Sequence, residues 1–183
     1  MSRYTADICR IRADPTIAPC RDLAVQLTDY RDLNQAQQEQ LLDIAVHPEQ
    51  RRFAGDIVSA LYILLSVDSD EMCGLVLLVD DVPRGFMLLQ RGAFLPPWAR
   101  VDAVILSALQ IDCRLQGRGL GRFCMMALPD RVRALWPDMR CLMLSVDADN
   151  SGAVAFYRAT RWLDSGDAYR RPNGFEQQMT LLL

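Results

Sequence analysis

The sequence predicts an α/β (α+β) fold, in which a mixed, mostly antiparallel central sheet of about seven strands carries helices on both faces. Segments with strand patterns alternate with segments of helical spacing, and hairpin signals join the strands in the middle of the chain. One apolar run, from Asp102 to Asp112, is nearly continuous, as in a central strand that is covered on both faces. Hydrophobic residues make up 51% of the 183 residues, which supports a sizeable core in one domain.

The first third of the chain predicts a short strand and two helices. Residues 1–20 contain two prolines and no clear period, so we expect a loosely attached segment before a single domain over residues 21–183. Leu23 to Leu27 has the composition of a short strand. One helix is predicted from an N-cap at Asn34 to Ile44. A second is predicted from about Phe53 to Leu65, where apolar side chains recur at helical spacing.

The middle of the chain predicts a hairpin followed by the central strand. Cys73–Asp80 and Arg84–Arg91 have strand composition, and Asp80 to Pro83 between them is a hairpin signal. Gly92 to Arg100 contains two prolines and is predicted as a loop. The strand from Asp102 to Asp112 follows. A Gly-rich turn then leads into a helix that we expect Pro129 to kink or split.

The last third predicts a buried strand, a helix and two closing strands. The predicted elements are a strand over Arg140–Val146, a helix over Ser151–Thr160, strands over Trp162–Arg170 and Phe175–Leu183, and a tight turn at Pro172–Gly174.

The composition excludes several kinds of chemistry. All 20 residues counted as Lys or Arg are Arg, and His47 is the only histidine. Without Lys there is no Schiff-base chemistry and no phosphate-loop NTPase, and with one His there is no His-rich metal site. We expect no metal.

Charge and hydropathy argue against two kinds of partner. The net charge of −3 gives no general attraction to nucleic acid. The apolar stretches are too short to span a bilayer, and the N-terminus lacks the apolar region of a secretory signal. We therefore expect a cytoplasmic protein with no nucleic-acid or membrane partner.

A Gly-rich turn between a strand and a helix is the most informative segment. Gly117, Gly119 and Gly121 let the backbone approach a ligand, and the start of the following helix offers unpaired N–H groups and a positive dipole end. Such a turn suits a pyrophosphate, and Arg118 and Arg122 can add positive charge. The dinucleotide fingerprint fails, because Arg122 stands where its third glycine should be. A turn that merely starts a helix is the structural alternative.

Two motifs resemble those of the GNAT superfamily of N-acetyltransferases. Gln116, Gly119 and Gly121 are similar to its acetyl-CoA signature. The pattern of its last helix is matched by Asn150, Ala153, Phe156 and Tyr157. The predicted order of elements also fits the GNAT fold, so the resemblance covers nearly all of the chain after residue 20. Shorter motifs, His47–Gln50 and Ile111–Asp112, resemble bacterial enzymes that acetylate polyamines and related small amines.

The resemblance implies direct transfer of an acetyl group from acetyl-CoA, as cosubstrate, to the primary amine of a small molecule. The residues expected to bind acetyl-CoA are Leu109, Ile111, Gln116, Gly117, Arg118, Gly119, Leu120, Gly121, Arg122 and Asn150. Main chain at Leu109 and Ile111 would pair with the pantetheine arm, and Asn150 would hydrogen-bond to it. Tyr157 would be the general acid that protonates the leaving thiolate. Two other functions stay open, a non-catalytic acyl-CoA sensor and an acetyltransferase of protein or peptide N-termini.

The base that takes the proton of the amine is less well indicated. Asp102 and Asp112, at the two ends of the central strand, are the candidates, and water is the alternative. We expect the acceptor to enter beside the first two helices and the loop Phe94–Trp98, with Glu49 near its pocket. A homodimer is a possible assembly, because homodimers are common in the superfamily.

One departure from the superfamily pattern concerns the end of the last helix. The superfamily often has Gly before an aromatic residue there, whereas Arg161 precedes Trp162 in this sequence. Either Arg161 adopts a left-handed conformation, at a cost of about 1 kcal/mol, or the turn differs.

Overall fold

One sheet with helices on both faces makes up the protein in the computed structural model, which describes residues 9–11, 23–171 and 174–183. The strands are β1 (Cys9–Ile11), β2 (Leu23–Asp29), β3 (Met72–Val79), β4 (Val82–Gln90), β5 (Ala103–Ile111), β6 (Cys141–Asp147), β7 (Leu163–Arg171) and β8 (Gly174–Leu182). The helices are α1 (Gln35–Leu41), α2 (Arg51–Ala54), α3 (Ile57–Leu65), α4 (Leu120–Leu135) and α5 (Ser151–Ala159).

The sheet has eight strands in the order β1-β2-β3-β4-β5-β6-β8-β7. The pair β5 and β6 is parallel and the other pairs are antiparallel. The predicted mixed, mostly antiparallel sheet is therefore confirmed. Its additional strand, β1, lies in the segment 1–20 and pairs with β2. The rest of that segment, and residues 172–173 of the predicted turn Pro172–Gly174, lie outside the described residues.

The predicted hairpin joins β3 to β4. Asp80 and Asp81 have φ values of 50° and 62°, and Val79 pairs with Val82 across the turn. Two successive positive φ values are what a tight hairpin turn requires, and Asp adopts them more readily than most residues. The Asp80 side chain also accepts a hydrogen bond from the Ala24 N–H at 3.0 Å, which fastens the turn to β2.

The helix predicted from Phe53 to Leu65 is wrong as a single helix. Gly55 has a φ of 67° and ends α2, after which the Asp56 carboxylate accepts a hydrogen bond from the Ser59 N–H and caps α3. A left-handed glycine followed by an N-cap residue is a stop and a new start. The apolar spacing that continues through both helices hid this break.

Pro129 does not split α4, which runs through it as one helix from Leu120 to Leu135. Met125, Leu128 and Val132, which flank the proline, are all buried against the sheet. Packing on both sides of Pro129 therefore holds the helix together despite the lost backbone hydrogen bond.

The two largest hydrophobic cores lie on opposite faces of the sheet. In β3 the side chains alternate, so that Cys73, Leu75 and Leu77 pack toward α4 and α5. Met72 and Val76 pack toward α1 and α3 instead. The strand that is buried over its whole length is thus β3. The central strand of the prediction, β5, is buried only over its first four residues and at Gln110.

Within the described ranges, no helix is long and apolar enough to cross a membrane.

Candidate active site

A cleft opens where β5 and β6 separate. The two strands pair only from Ala103 to Ile105 and from Cys141 to Met143. Beyond that point lies a cavity of about 660 Å³. Its walls come from the second halves of β5 and β6, the Gly-rich turn, the start of α4, one face of α5 and residues of α2. The cleft is therefore a consequence of the sheet topology and needs no extra domain.

A bulge in β5 shapes one wall of the cleft. The pairing with β4 shifts by one residue between Phe86 and Leu88, and Ala108 in the bulge has a φ of 50°. Before the bulge, Leu106 faces α4 and α5. After it, the next side chain that faces these helices is Leu109. In the described part of the chain no strand pairs with the β6-facing edge of β5 beyond Ile105, so its backbone groups can pair with a ligand.

The Gly-rich turn forms one end of the cleft. Gly117 and Gly119 have φ values of 75° and 80°, and α4 begins directly after Gly119. The first intrahelical hydrogen bond runs from the Phe123 N–H to the Gly119 carbonyl, so the preceding amides at the helix start have no carbonyl one turn back. This arrangement fits an anionic group such as a pyrophosphate. Leu120, Gly121 and Arg122 line the cavity, whereas Arg118 is exposed and lies outside its walls.

Gly121 has a packing role that the sequence did not reveal. A Cβ atom there would lie 3.2 Å from the Phe156 ring, so the glycine permits the close approach of α4 and α5. Because its φ is not positive, backbone conformation does not require glycine at this position.

Gln116 connects the turn to two other elements. Its amide donates to the Ile111 carbonyl at 2.8 Å and to Gln50 Oε1 at 2.9 Å, and Gln50 donates back to Gln116 Oε1 at 3.1 Å. The side chain therefore fixes the turn against the end of β5 and against the segment that enters α2. Nearby, the Gln110 amide donates to the Ala54 carbonyl at 3.2 Å, so α2 is held to β5 as well.

Asn150 and Tyr157 lie on the face of α5 that lines the cleft. Asn150 is the N-cap, and its Oδ1 accepts from the Ala153 N–H at 3.2 Å. Its amide group remains available as a donor. The Tyr157 ring contacts the rings of Phe156 and Trp162, with centroid separations of 5.3 and 5.8 Å. Burial raises the pKa of the Tyr157 phenol to about 12, so the hydroxyl stays protonated at neutral pH.

The two candidate bases do not reach the cleft. Asp102 precedes β5 at its far end and pairs with Arg100 at 2.8 Å, and a hydrogen bond from Arg100 lowers its pKa. Asp112 is fully buried and lies outside the walls of the cavity. Burial alone would raise the pKa of Asp112, but hydrogen bonds and charge from Arg114 and Arg84 lower it overall.

A second cavity of about 440 Å³ adjoins the cleft. Phe53, Ser107, Ser145 and Glu176 line both cavities, so the two spaces are continuous. Side chains of the loop between β4 and β5, among them Phe94 and Trp98, form the outer wall. The loop Phe94–Trp98 lies beside this cavity, where the sequence analysis placed the acceptor. Glu49, which was expected near the acceptor pocket, is exposed and lines neither cavity.

The model of the Acetyltransferase (GNAT) family matches residues 56–160, which is more than half of the chain. The chain belongs to the GNAT family of acetyltransferases. The match covers α3 to α5, which includes the Gly-rich turn, Asn150 and Tyr157. A search of curated protein sequences finds no match.

Solved GNAT structures share the fold at low sequence identity. Aminoglycoside acetyltransferase AAC(6')-Ib, solved in complex with coenzyme A, has a TM-score of 0.68 at 14% identity, covering 87% of this chain and 95% of its own. An acetyltransferase from Thermus thermophilus has a TM-score of 0.61 at 22% identity, covering 87% and 97%. An acyl-CoA N-acyltransferase from Pseudomonas aeruginosa has a TM-score of 0.58 at 19% identity, covering 86% and 98%.

Several residues of this GNAT enzyme lie in the cleft although the sequence did not single them out as site residues. Phe53, Ser145 and Glu176 come from α2, β6 and β8, which are far apart in the sequence. Pairing of β8 with β6 brings Glu176 opposite Asp147 at the open end of the gap. Only the strand order reveals this position, so no local sequence signal could have found Glu176. In the described ranges, no group of three or more His, Cys, Asp or Glu side chains is placed to hold a metal ion.

Proposed function

We propose that this acetyltransferase transfers the acetyl group of acetyl-CoA directly to the primary amine of a small molecule. The observation that carries the proposal is the continuity of the cleft. An anion-binding turn lies at one end, the unpaired edge of β5 runs along its length, and the smaller cavity joins it through Ser145 and Glu176. A donor and an acceptor can therefore meet inside one continuous space.

The coenzyme portion of the donor is bound mainly by the backbone. The amides from Gly117 to Gly121 at the start of α4 hold the pyrophosphate, and Arg118 and Arg122 face peripheral phosphates. The main chain of Leu109 and Ile111 pairs with the pantetheine arm as an added strand. The Asn150 amide, which is free of its capping role, donates to the same arm.

The reaction forms a C–N bond and breaks a C–S bond. The neutral amine attacks the thioester carbonyl carbon, and an N–H of the β5 edge polarises the carbonyl oxygen as it gains charge. The sulfur leaves and takes up the proton of the Tyr157 hydroxyl. The proton that the ammonium gives up before attack passes to water, and the proton that the new amide loses returns through water to the Tyr157 oxygen.

The high pKa of Tyr157 is compatible with its role as an acid. A phenol with a pKa of about 12 would be a poor donor to a thiolate in water, where thiol pKa values lie near 8.5. Burial raises thiol pKa values in this protein in the same way, as at Cys124, where the pKa is raised to about 12. A thiolate released against the apolar part of the cleft is likewise less well solvated than in water, so it takes up the phenol proton more readily.

Replacement of Tyr157 by Phe tests this function. We expect Tyr157→Phe to lower kcat for thiol release about 100-fold, as is typical for loss of a general acid, with little change in the Kd of acetyl-CoA. Tyr62→Phe is the matched control, because Tyr62 is 74% exposed on α3 and should leave kcat unchanged. Unchanged turnover of Tyr157→Phe from pH 6 to pH 10 would remove the general-acid role.

The same assay separates the alternatives. Acetyl-CoA binding by calorimetry without thiol release from any amine would indicate an acyl-CoA sensor. Thiol release with peptides but not with small amines would indicate an acetyltransferase of N-termini. Asp102→Asn belongs in the series, because a full loss of kcat in that variant would restore Asp102 as the base.

A further inference from the structure

Part of the wall between the cleft and the smaller cavity is formed by α2, which has only four residues. Phe53 lines both spaces, and Arg52 and Ala54 line the cleft. A helix this short has little stability of its own, so its position depends on contacts with neighbouring elements. Directly after it, Gly55 has a φ of 67°, and among the described residues a Cβ atom there would meet nothing within 4 Å. The Gly55 end of α2 is therefore loosely packed.

Side chains from the coenzyme half of the cleft hold α2 in place. Gln116, which precedes the Gly-rich turn, and Gln50, which precedes α2, donate to each other through their amides at 2.9 and 3.1 Å. Gln50 Oε1 also accepts from the His47 N–H at 3.2 Å and so closes the turn that leads into α2. The buried Gln110 amide holds the other end of α2 through the Ala54 carbonyl. Both ends of this helix are thus tied to β5 and to the residue before the Gly-rich turn.

Gln116 itself belongs to the coenzyme side of the cleft. Its amide donates to the Ile111 carbonyl at the end of β5, and its backbone leads directly into Gly117. The pair that it forms with Gln50 lines the cleft and is only partly buried, so water can replace these bonds when the pair opens. The amide pair therefore has an open and a closed arrangement, and a ligand that fixes the Gly-rich turn favours the closed one.

We propose that Gln50 is a positioning residue that couples the coenzyme site to the acceptor cavity. Acetyl-CoA at the Gly-rich turn holds Gln116, Gln116 holds Gln50, and Gln50 holds α2 as the wall of the acceptor cavity. The amine therefore binds more tightly to the loaded protein than to the free one, and by reciprocity it tightens coenzyme binding by the same factor. This inference rests on the proposed acetyl transfer and adds a means of regulating the same site.

Hydrogen exchange with coenzyme A tests the path to α2 and needs no amine. In the wild type we expect exchange to slow at residues 117–122, and to slow about fivefold or more at residues 47–54. Gln50→Met removes the amide but keeps an unbranched side chain of similar length. It should keep the effect at residues 117–122 and lose most of the effect at residues 47–54. Gln40→Met makes the same change on the exposed part of α1 and should behave as the wild type.

Binding of coenzyme A together with an amine tests the coupling directly, because without an acetyl group this complex cannot react. The amines are those of spermidine, phenethylamine and kanamycin that support thiol release with acetyl-CoA. A saturating amine should lower the Kd of coenzyme A about fivefold in the wild type and less than about twofold in Gln50→Met. With acetyl-CoA, Gln50→Met should raise KM for the amine about fivefold with little change in kcat, which a general loss of structure would not do.

Gln116→Met breaks the same pair from the other side. Because it also removes the bond to the Ile111 carbonyl, it should weaken coenzyme A binding itself. The coupling between coenzyme A and the amine should fall as far as in Gln50→Met, and the double variant should lose no more. Losses of coupling that add up in the double variant would contradict a contact shared by the two side chains.

The possible failures are distinguishable. Coenzyme A that slows exchange at residues 117–122 but not at residues 47–54 of the wild type overturns this inference and leaves acetyl transfer standing. An equal effect at residues 47–54 in Gln50→Met, or an amine that leaves the Kd of coenzyme A unchanged in the wild type, has the same consequence. No thiol release with any amine overturns the proposed function together with this inference.

Discussion

Asp112 is charged although it is fully buried. It accepts hydrogen bonds from the Arg84 guanidinium and from both the backbone N–H and the guanidinium of Arg114. Arg114 in turn donates to the Asp43 carbonyl at 3.0 Å. The carboxylate therefore fixes the chain between the end of β5 and the Gly-rich turn, and its effect on the reaction passes through the position of the turn.

We expect Asp112→Asn to weaken acetyl-CoA binding and to destabilise the fold on the order of 2 kcal/mol at pH 7. Breaking a fully buried ion pair destabilises a fold by more than this. Here the cost is smaller because Arg84 and Arg114 are partly exposed, so water can solvate their charges. Because the pKa of Asp112 is lowered from 3.8, its stabilisation is present above pH 3.8 and is lost as the pH falls further. Denaturant unfolding at pH 7 and near pH 3 measures the free energy of unfolding of both proteins. The difference in stability between Asp112→Asn and the wild type should be smaller near pH 3.

A matched Asp→Asn change separates this role from that of a base. Asp102→Asn, in an exposed pair, should change both stability and acetyl-CoA affinity little. An Asp112→Asn variant with wild-type stability and acetyl-CoA affinity, but with kcat lost, would contradict the positioning role and favour the base that the sequence suggested.

The end of α5 shows how a helix tolerates an unsuitable residue. Arg161 has a φ of 72°, the Trp162 N–H donates to the Tyr157 carbonyl, and the Arg161 N–H donates to the Arg158 carbonyl. These two bonds form the closing motif that usually has glycine in the left-handed position. Of the two alternatives that the sequence left open, the left-handed conformation of Arg161 is the one present. The motif holds Tyr157 and Trp162 in contact, which positions the tyrosine in the cleft.

We expect Arg161→Gly to stabilise the protein by about 1 kcal/mol, because glycine adopts a positive φ without the steric cost of a Cβ. Chemical denaturation measures the change. Arg133→Gly is the opposite control, since Arg133 is exposed inside α4, where glycine should destabilise by a similar amount. Loss of stability in both variants would show that Arg161 makes contacts worth more than its strain.

Element by element, the sequence predicted the fold well where periodicity and caps are local. Asn34 caps α1 as expected, and Asp80 and Asp81 form the expected turn. The break at Gly55 was missed because the apolar spacing continues across it. The bulge at Ala108 did leave a signal: Val104 and Leu106 face one core at a spacing of two, and the next residue to face it, Leu109, comes after three.

The parts of the candidate site that belong to short sequence motifs could be predicted from the sequence. The Gly-rich turn, Asn150 and Tyr157 all lie on the cleft, because each belongs to a short motif whose geometry is local. Asp102 lies at the end of β5 that is away from the gap, a position that the sequence could not give, since the two ends of a strand look alike until the gap between β5 and β6 is known. Glu176 depended on strand order, which no short segment encodes.

In the molecule as a whole, the cleft lies between two parts of one sheet. β5 and β6 share three residue pairs, whereas β6 and β8 pair along the whole of β6. The core formed with α4 and α5 continues across this narrow connection through Leu106 and Leu144. A ligand that pairs with β5 and contacts β6 and α5 therefore bridges a short lateral contact between the two parts of the sheet.

We expect acetyl-CoA at about 100 times its Kd to stabilise the protein by about 2.7 kcal/mol, which corresponds to a rise in Tm of about 5–10 °C for a domain of this size. Hydrogen exchange should locate the effect. Protection should rise at residues 106–111 of β5 and at residues 117–122, and then in α5 and β6, because these segments border the gap. Tyr157→Phe should keep both effects, since it removes only the hydroxyl. Protection confined to α1 and α3, on the other face of the sheet, would contradict binding in this cleft.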